Sequence, residues 1–167
     1  MEEKKKIAIV GFSFALVENE PNICNINLAG EIKRIARIKR SQGYEVYIVS
    51  QWEISKVLEK TENFKPKFTV YRDDEKYLSS DDVVNKSLSY LKEKNVKDII
   101  IVANPFIHLF VCRRLFKEAG FTVLKEKIKM TEEKITAHMK AMHKPEDPIP
   151  TKAEIDGMIE QMTEPIA

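Results

Sequence analysis

Asp98-Ile99-Ile100-Ile101-Val102-Ala103 is an apolar run that stops abruptly at Asn104-Pro105-Phe106-Ile107-His108. A β-branched stretch of this length reads as a strand covered on both faces, the kind that parallel sheets contain. Proline pushes the residue before it out of the helical region. The strand therefore ends in a turn, and the next periodic segment, about Ile107 to Ala119, is expected as a helix. Open α/β sheets bind ligands at such junctions, beyond the carboxyl ends of strands where helix N-termini point.

Upstream of this junction, Ser79-x-x-Asp82 resembles a capping box with Asp in place of Glu, opening a helix through Val83, Val84, Leu88 and Leu91 to Asn95. Phe68 to Tyr71 is a short strand, expected at an edge because Pro66 sits beside it. Tyr44-Glu45-Val46-Tyr47-Ile48-Val49 is a second strand, which delivers Ser50-Gln51-Trp52-Glu53 to a helix running to about Glu62. Residues 6 to 12 form the first, central strand and end at Gly11-Phe12. A polar loop, Glu18 to Asn22, then leads to a helix from about Asn27 to Gln42, with Leu28, Ile32, Ile35 and Ala36 as its stripe and Gly43 as its stop. Downstream, Gly120 precedes a fifth strand, Phe121 to Leu124. Strand–helix alternation implies a three-layer α/β sandwich on a mainly parallel sheet of about five strands, with right-handed crossovers. Analogy with doubly wound sheets gives the order 3-2-1-4-5. Strands one and four are then neighbours, and a crevice opens between Gly11-Phe12-Ser13 and Asn104-Pro105.

The 167 residues fit one domain, 1–128, with an extension, 129–167. A net charge of +2 gives no whole-molecule field for nucleic acid or an anionic membrane, so neither partner is expected. The apolar run Ile7 to Val10 is too short for a signal-peptide core or a membrane span. Cys24 and Cys112 lack ligand spacing, which leaves reduced thiols in the cytoplasm as the simplest expectation. In the extension, two short helices opened by Thr131 and by Thr151-x-x-Glu154 carry the apolar faces Ile135, Met139 and Met142, then Ile155, Met158, Ile159 and Met162. Such faces need a partner surface, either this chain's own sheet layer or a second subunit. The proline-rich joint between them, Lys144 to Pro150, favours the second and hence a homo-oligomer.

His108, near a helix N-terminus, is disfavoured in its protonated form by the helix dipole. It either relays a proton to a bound phosphate or carbonyl, as the candidate catalytic residue, or is hydrogen-bonded within the helix start. Gly11-Phe12-Ser13-Phe14-Ala15 is close to a nucleophile elbow, but the elbow needs a helix directly after its serine, and Glu18 to Asn22 is loop. Ser13 is better placed to hydrogen-bond a ligand through its hydroxyl or backbone N–H. Neither G-x-G-x-x-G nor a Walker lysine is present, so a standard dinucleotide or P-loop site is not expected and no redox cofactor is indicated. Trp52, between Gln51 and Glu53, offers a stacking face for a ring or is simple packing. Glu31 and Arg34 share a helical face as an ordinary surface pair or a site element. The row Lys33, Arg34, Arg37, Lys39 and Arg40 lacks interleaved aromatics and reads as a solvated face. Asp73-Asp74-Glu75 and Asp81-Asp82 fit no recognised metal loop, and His138 and His143 do not share a helical face, so no metal site is expected.

Gly11, Glu31, Gln51-Trp52-Glu53, Ser79 with Asn85, Ala103-Asn104-Pro105, His108-Leu109 and Cys112 occur in an order that resembles the YdcF/SanA-like family. The resemblance covers about residues 6 to 124 and implies a Rossmann-like domain. The expected site is lined by Gly11, Ser13, Glu31, Gln51, Trp52, Glu53, Asn85, Asn104 and His108, with His108 as its acid–base group if the chain is an enzyme. The expected ligand is a small anionic or nucleotide-like metabolite at the carboxyl edge of the sheet, with hydrolase or transferase chemistry if the chain is an enzyme. In the family an arginine usually follows the histidine by three places, where this chain has Val111. An anion clamp built on that arginine does not carry over. The alternative is a non-catalytic interaction module that self-associates through its methionine-rich tail.

Overall fold

Lys6–Gly11 (β1), Glu45–Gln51 (β2), Phe68–Val70 (β3), Asp98–Val102 (β4) and Thr122–Leu124 (β5) form one sheet in the order β3-β2-β1-β4-β5. Every pairing in it is parallel. The structure, a computed structural model, describes residues 3–13, 23–71, 79–104 and 108–128. β1 is central, with Ile9 opposite both Ile48 and Ile100. Ile7, Ile9, Ile99, Ile100 and Ile101 are fully buried, as a strand covered on both faces requires. The helices are Ile23–Ser41 (α1), Trp52–Leu58 (α2), Ser80–Glu93 (α3) and His108–Glu118 (α4). α1 packs against α2, and α3 against α4. This is a Rossmann-like α/β fold. Among the described residues no helix is long and apolar enough to cross a membrane.

Two boundaries differ from expectation, for local reasons. α1 starts at Ile23, four positions before Asn27, because Cys24 extends the stripe of Leu28 back by one turn and Asn25 is itself buried. α2 ends at Leu58 instead of reaching Glu62, since the next positions on its buried stripe, Thr61 and Glu62, are polar. Phe64 returns to the core through a 3-10 turn, Glu62–Phe64. The capping box is present: Asp82 N–H donates to Ser79 Oγ at 3.1 Å and Ser79 N–H to Asp82 Oδ2 at 3.0 Å. These bonds hold the Asp82 carboxyl below the usual aspartate range.

The cationic row of α1 is only in part a solvated face: Arg37 and Arg40 are exposed, Lys33 and Arg34 are half-buried and Lys39 is buried. Arg37 and Arg40 lie 5.0 and 5.3 Å from the centroid of the Phe64 ring, and Arg40 also donates to the Asn63 carbonyl at 2.7 Å. Lys39 pairs with Glu126 at 2.8 Å, and Arg34 donates to the Lys127 carbonyl at 2.6 Å. The row fastens the chain after α2, and the chain after β5, onto α1. The readings for Glu18 to Asn22, Asp73-Asp74-Glu75, Pro105 to Ile107 and the whole extension 129–167, with its two helices, histidines and self-association, lie outside the described residues.

Candidate functional site

β1 and β4 continue their ladder one step past β1, where Phe12 N–H donates to the Val102 carbonyl at 2.9 Å. The two rims expected to meet are therefore adjacent, with Ser13 on one and fully buried Asn104 on the other. Side chains alternate along a strand. A Cβ on Gly11 would come within 2.6 Å of Ile32 Cδ1, 3.3 Å of Ser50 Cβ and 3.4 Å of Ile54 Cδ1, so Gly11 faces α1 and α2. Phe12 points the other way, edge-on to Phe116 of α4 with ring centroids 6.2 Å apart. Ser13 comes back to the α1–α2 side.

There it meets the carboxyl end of β2. The Ser13 N–H donates to Gln51 Oε1 at 2.7 Å, and the Ser13 hydroxyl donates to Glu53 Oε2 at 2.7 Å. All three residues are buried. Gln51 is the last residue of β2 and Glu53 lies in the first turn of α2, so the strand-to-helix turn carries both acceptors. Beside them Ser50 Oγ and Ser55 Oγ are 2.6 Å apart, and Thr69 donates to Ser55 Oγ at 2.9 Å. This buried hydroxyl chain ties β2, α2 and β3 together, and isolated serines in the sequence give no signal of it. Its chemical consequence is specific. The Ser13 N–H is taken by Gln51 and is not presented to an anion, while Glu53 offers acceptor capacity.

The other expected residues are placed variously. Gly11 lets α1 approach β1, a packing role, because the space over its Cα is filled by Ile32. Trp52 opens α2 half-buried, with the Lys56 ammonium 4.8 Å from its ring centroid, so a cation already occupies part of its stacking surface. Glu31 is buried in α1 and pairs with Arg34 at 2.8 Å, next to residues 125–128. Asn85 is exposed on α3. Asn104 accepts at its carbonyl from Leu109 N–H at 3.0 Å, which ties the start of α4 to the end of β4. α4 begins at His108, whose side chain, and with it the acid–base role expected of it, lies outside what the structure describes.

Two polar residues of the first turns of α1 escaped sequence reasoning. Asn25 and Asn27 are 1% and 8% exposed, and Asn27 Nδ2 has no acceptor among the described residues. The available signal was their spacing: Asn25 precedes Ala29 and Ile32 on the buried face. Cys24 and Cys112 are buried and free, and burial pushes their thiols up to about 11 and about 12, which leaves them chemically quiet. At the opposite, amino edge of the sheet a shallow depression of about 380 Å³ is lined by Lys4, Lys5, Lys6, Lys97, Tyr44 and Asp98 among others.

No protein-family model matches the chain, and no curated protein is similar to it. Among solved structures it is similar to the crystal structure of UDP-N-acetylglucosamine 2-epimerase, at 14% identity and a TM-score of 0.41 over 72% of this chain and 32% of that one. The chain thus spans about a third of that enzyme's length.

Proposed function

We propose that the chain binds a small anionic or nucleotide-like metabolite at the carboxyl edge of its sheet, with Glu53 accepting the ligand's hydroxyl groups. One observation carries this reading. Glu53 is 6% exposed and receives the Ser13 hydroxyl at 2.7 Å, whereas an ionised carboxylate has about four lone-pair sites to satisfy. Polyhydroxylated ligands answer that demand. An acid at the carboxyl end of the second strand also sits where dinucleotide-binding sheets hold a ribose hydroxyl. The start of α4, next to Asn104, provides the positive end of a helix dipole for the anionic part of the ligand. In the catalytic form of this proposal, His108 with Glu31 or Glu53 performs acid–base chemistry in a hydrolysis or group transfer. The likeness to the YdcF/SanA-like family and a cytoplasmic location belong to the same proposal.

A thermal-shift series against nucleotides, sugar phosphates and S-adenosylmethionine tests it. One class is expected to stabilise the protein saturably, by about 2.7 kcal/mol at a ligand concentration 100-fold above Kd, and Glu53→Gln to remove the response. A full response in Glu53→Gln, or no response from any class, refutes the proposal.

A further inference from the structure

α4 buries Leu109, Cys112 and Phe116 as an ordinary apolar stripe, and Arg113 lies on the flank of that stripe, one turn after Leu109. Arg113 is 6% exposed, and its Nε has no hydrogen-bond partner among the described residues. Nor does it form an ion pair among them. Among the described residues, the acids that follow on α4 and after β5 are engaged elsewhere: Glu118 lies 3.8 Å from Arg114 Nε, and Glu126 pairs with Lys39 at 2.8 Å. Guanidinium keeps its proton in proteins, so among the described residues this is a buried positive charge without a counter-charge, an arrangement that is costly to leave unpaired. Two more cations stand near it. The ammonium of Lys125, just past β5, is held below the usual lysine range, first by desolvation and then by the positive charges of Lys117 and Arg113. Lys117 and Lys125 are both exposed, so the flank can be reached from solvent.

We propose that this flank of α4, against β5, is a receptor for a dianionic phosphate group, with the Arg113 fork as its floor and Lys117 and Lys125 as its rim. The planar guanidinium matches two phosphate oxygens at once, and the ammonium groups act as adjustable point charges. Three cations, one of them a buried fork, suit a single dianion. A nucleic-acid strand would need a longer cationic track with stacking aromatics. The receptor is independent of the Glu53 site: Ser13 and Glu53 lie on the α1–α2 side of the sheet, and Arg113 is on the helix that packs against α3.

Full-length protein titrated with inorganic phosphate, with glycerol 3-phosphate and with chloride at matched ionic strength provides the test. Thermal stability is expected to rise saturably with both phosphates and not with chloride. A stronger response to glycerol 3-phosphate would assign the group to a larger ligand, and equal responses would assign it to free phosphate. Arg113→Met keeps the packing stem, so its melting temperature without phosphate should equal or exceed that of the wild type while the phosphate response disappears. If Arg113→Met does not fold, the exposed pair Lys117→Ala/Lys125→Ala serves instead, with an expected loss of at least tenfold in apparent phosphate affinity. A phosphate response no larger than that to chloride, or one retained in full by the variant that folds, overturns the proposal. Failure here would leave the Glu53 response intact, so the two sites are judged separately.

Discussion

On the α1–α2 side of the sheet, Ser13 donates to both Gln51 and Glu53 at 2.7 Å and Ser50 and Ser55 hydroxyls lie 2.6 Å apart, whereas the α3–α4 side is closed by Phe12, Phe116 and Phe121 and carries Arg113, whose Nε has no partner among the described residues. The first side is built from short polar side chains on strand ends and the first turn of a helix, where backbone position fixes each donor opposite an acceptor. The second is built from large rings, with centroids 6.2 and 5.6 Å apart in edge-to-face contact, and it also buries one long, charged side chain, Arg113. Partners lock these strand-end polar atoms on one side. On the other, shape does the holding, and the charge is left over.

Five substitutions would break or sharpen this contrast. Phe116→Ala removes the ring shared by Phe12 and Phe121 and should cost about 3–5 kcal/mol in denaturant unfolding, the largest effect in the series. A cost under about 1 kcal/mol would mean that the aromatic side collapses around the gap. Ser13→Ala strips the hydroxyl donor from buried Glu53 and should cost about 1–3 kcal/mol. Adding Glu53→Gln to that variant should recover part of the loss, because the amide carries no charge to leave uncompensated. Ser79→Ala removes an N-cap from α3 and should cost about 1 kcal/mol, without altering the response to any ligand of Glu53. The smallest effect belongs to Asp82. Its folded carboxyl lies below the ordinary aspartate value, so its contribution is complete above about pH 4 and fades as pH falls through the lower folded value. The melting-temperature gap between wild type and Asp82→Asn should therefore be present at neutral pH and close on acidification. A gap that widens in acid would reverse the assignment.

Strand order is legible in the alternation of apolar runs with helical stripes, because burial on both faces leaves few alternatives to Ile-rich strands such as β4. The capping box is legible for a similar reason, since Ser79 and Asp82 need only local geometry to meet. What stays hidden depends on partners distant in sequence. Ser13 and Glu53 are both quotable as site residues, yet their bond spans 40 positions in the chain and exists only because β1 and β2 are neighbours. The start of α1 hides because asparagine is a poor helix former, so the segment around Asn25 does not read as helix. The cationic row hides because Phe64 and residues 125–127 return to it from outside the helix. Arg113 reads as one more surface charge until α4 is placed against β5.

At the amino edge, each of three helices hands over to a strand through a residue with positive φ: Gly43 at 90°, Asn95 at 57° and Gly120 at 96°. Each of these returns is short and closed by backbone hydrogen bonds such as Gly43 N–H to the Arg40 carbonyl at 3.0 Å and Phe121 N–H to the Phe116 carbonyl at 3.1 Å. Strand register is thereby set from below, like the pitch of a comb fixed at its spine. Side chains at the opposite ends of β1, β2 and β4 can then be exchanged for new specificities with the alignment beneath them undisturbed.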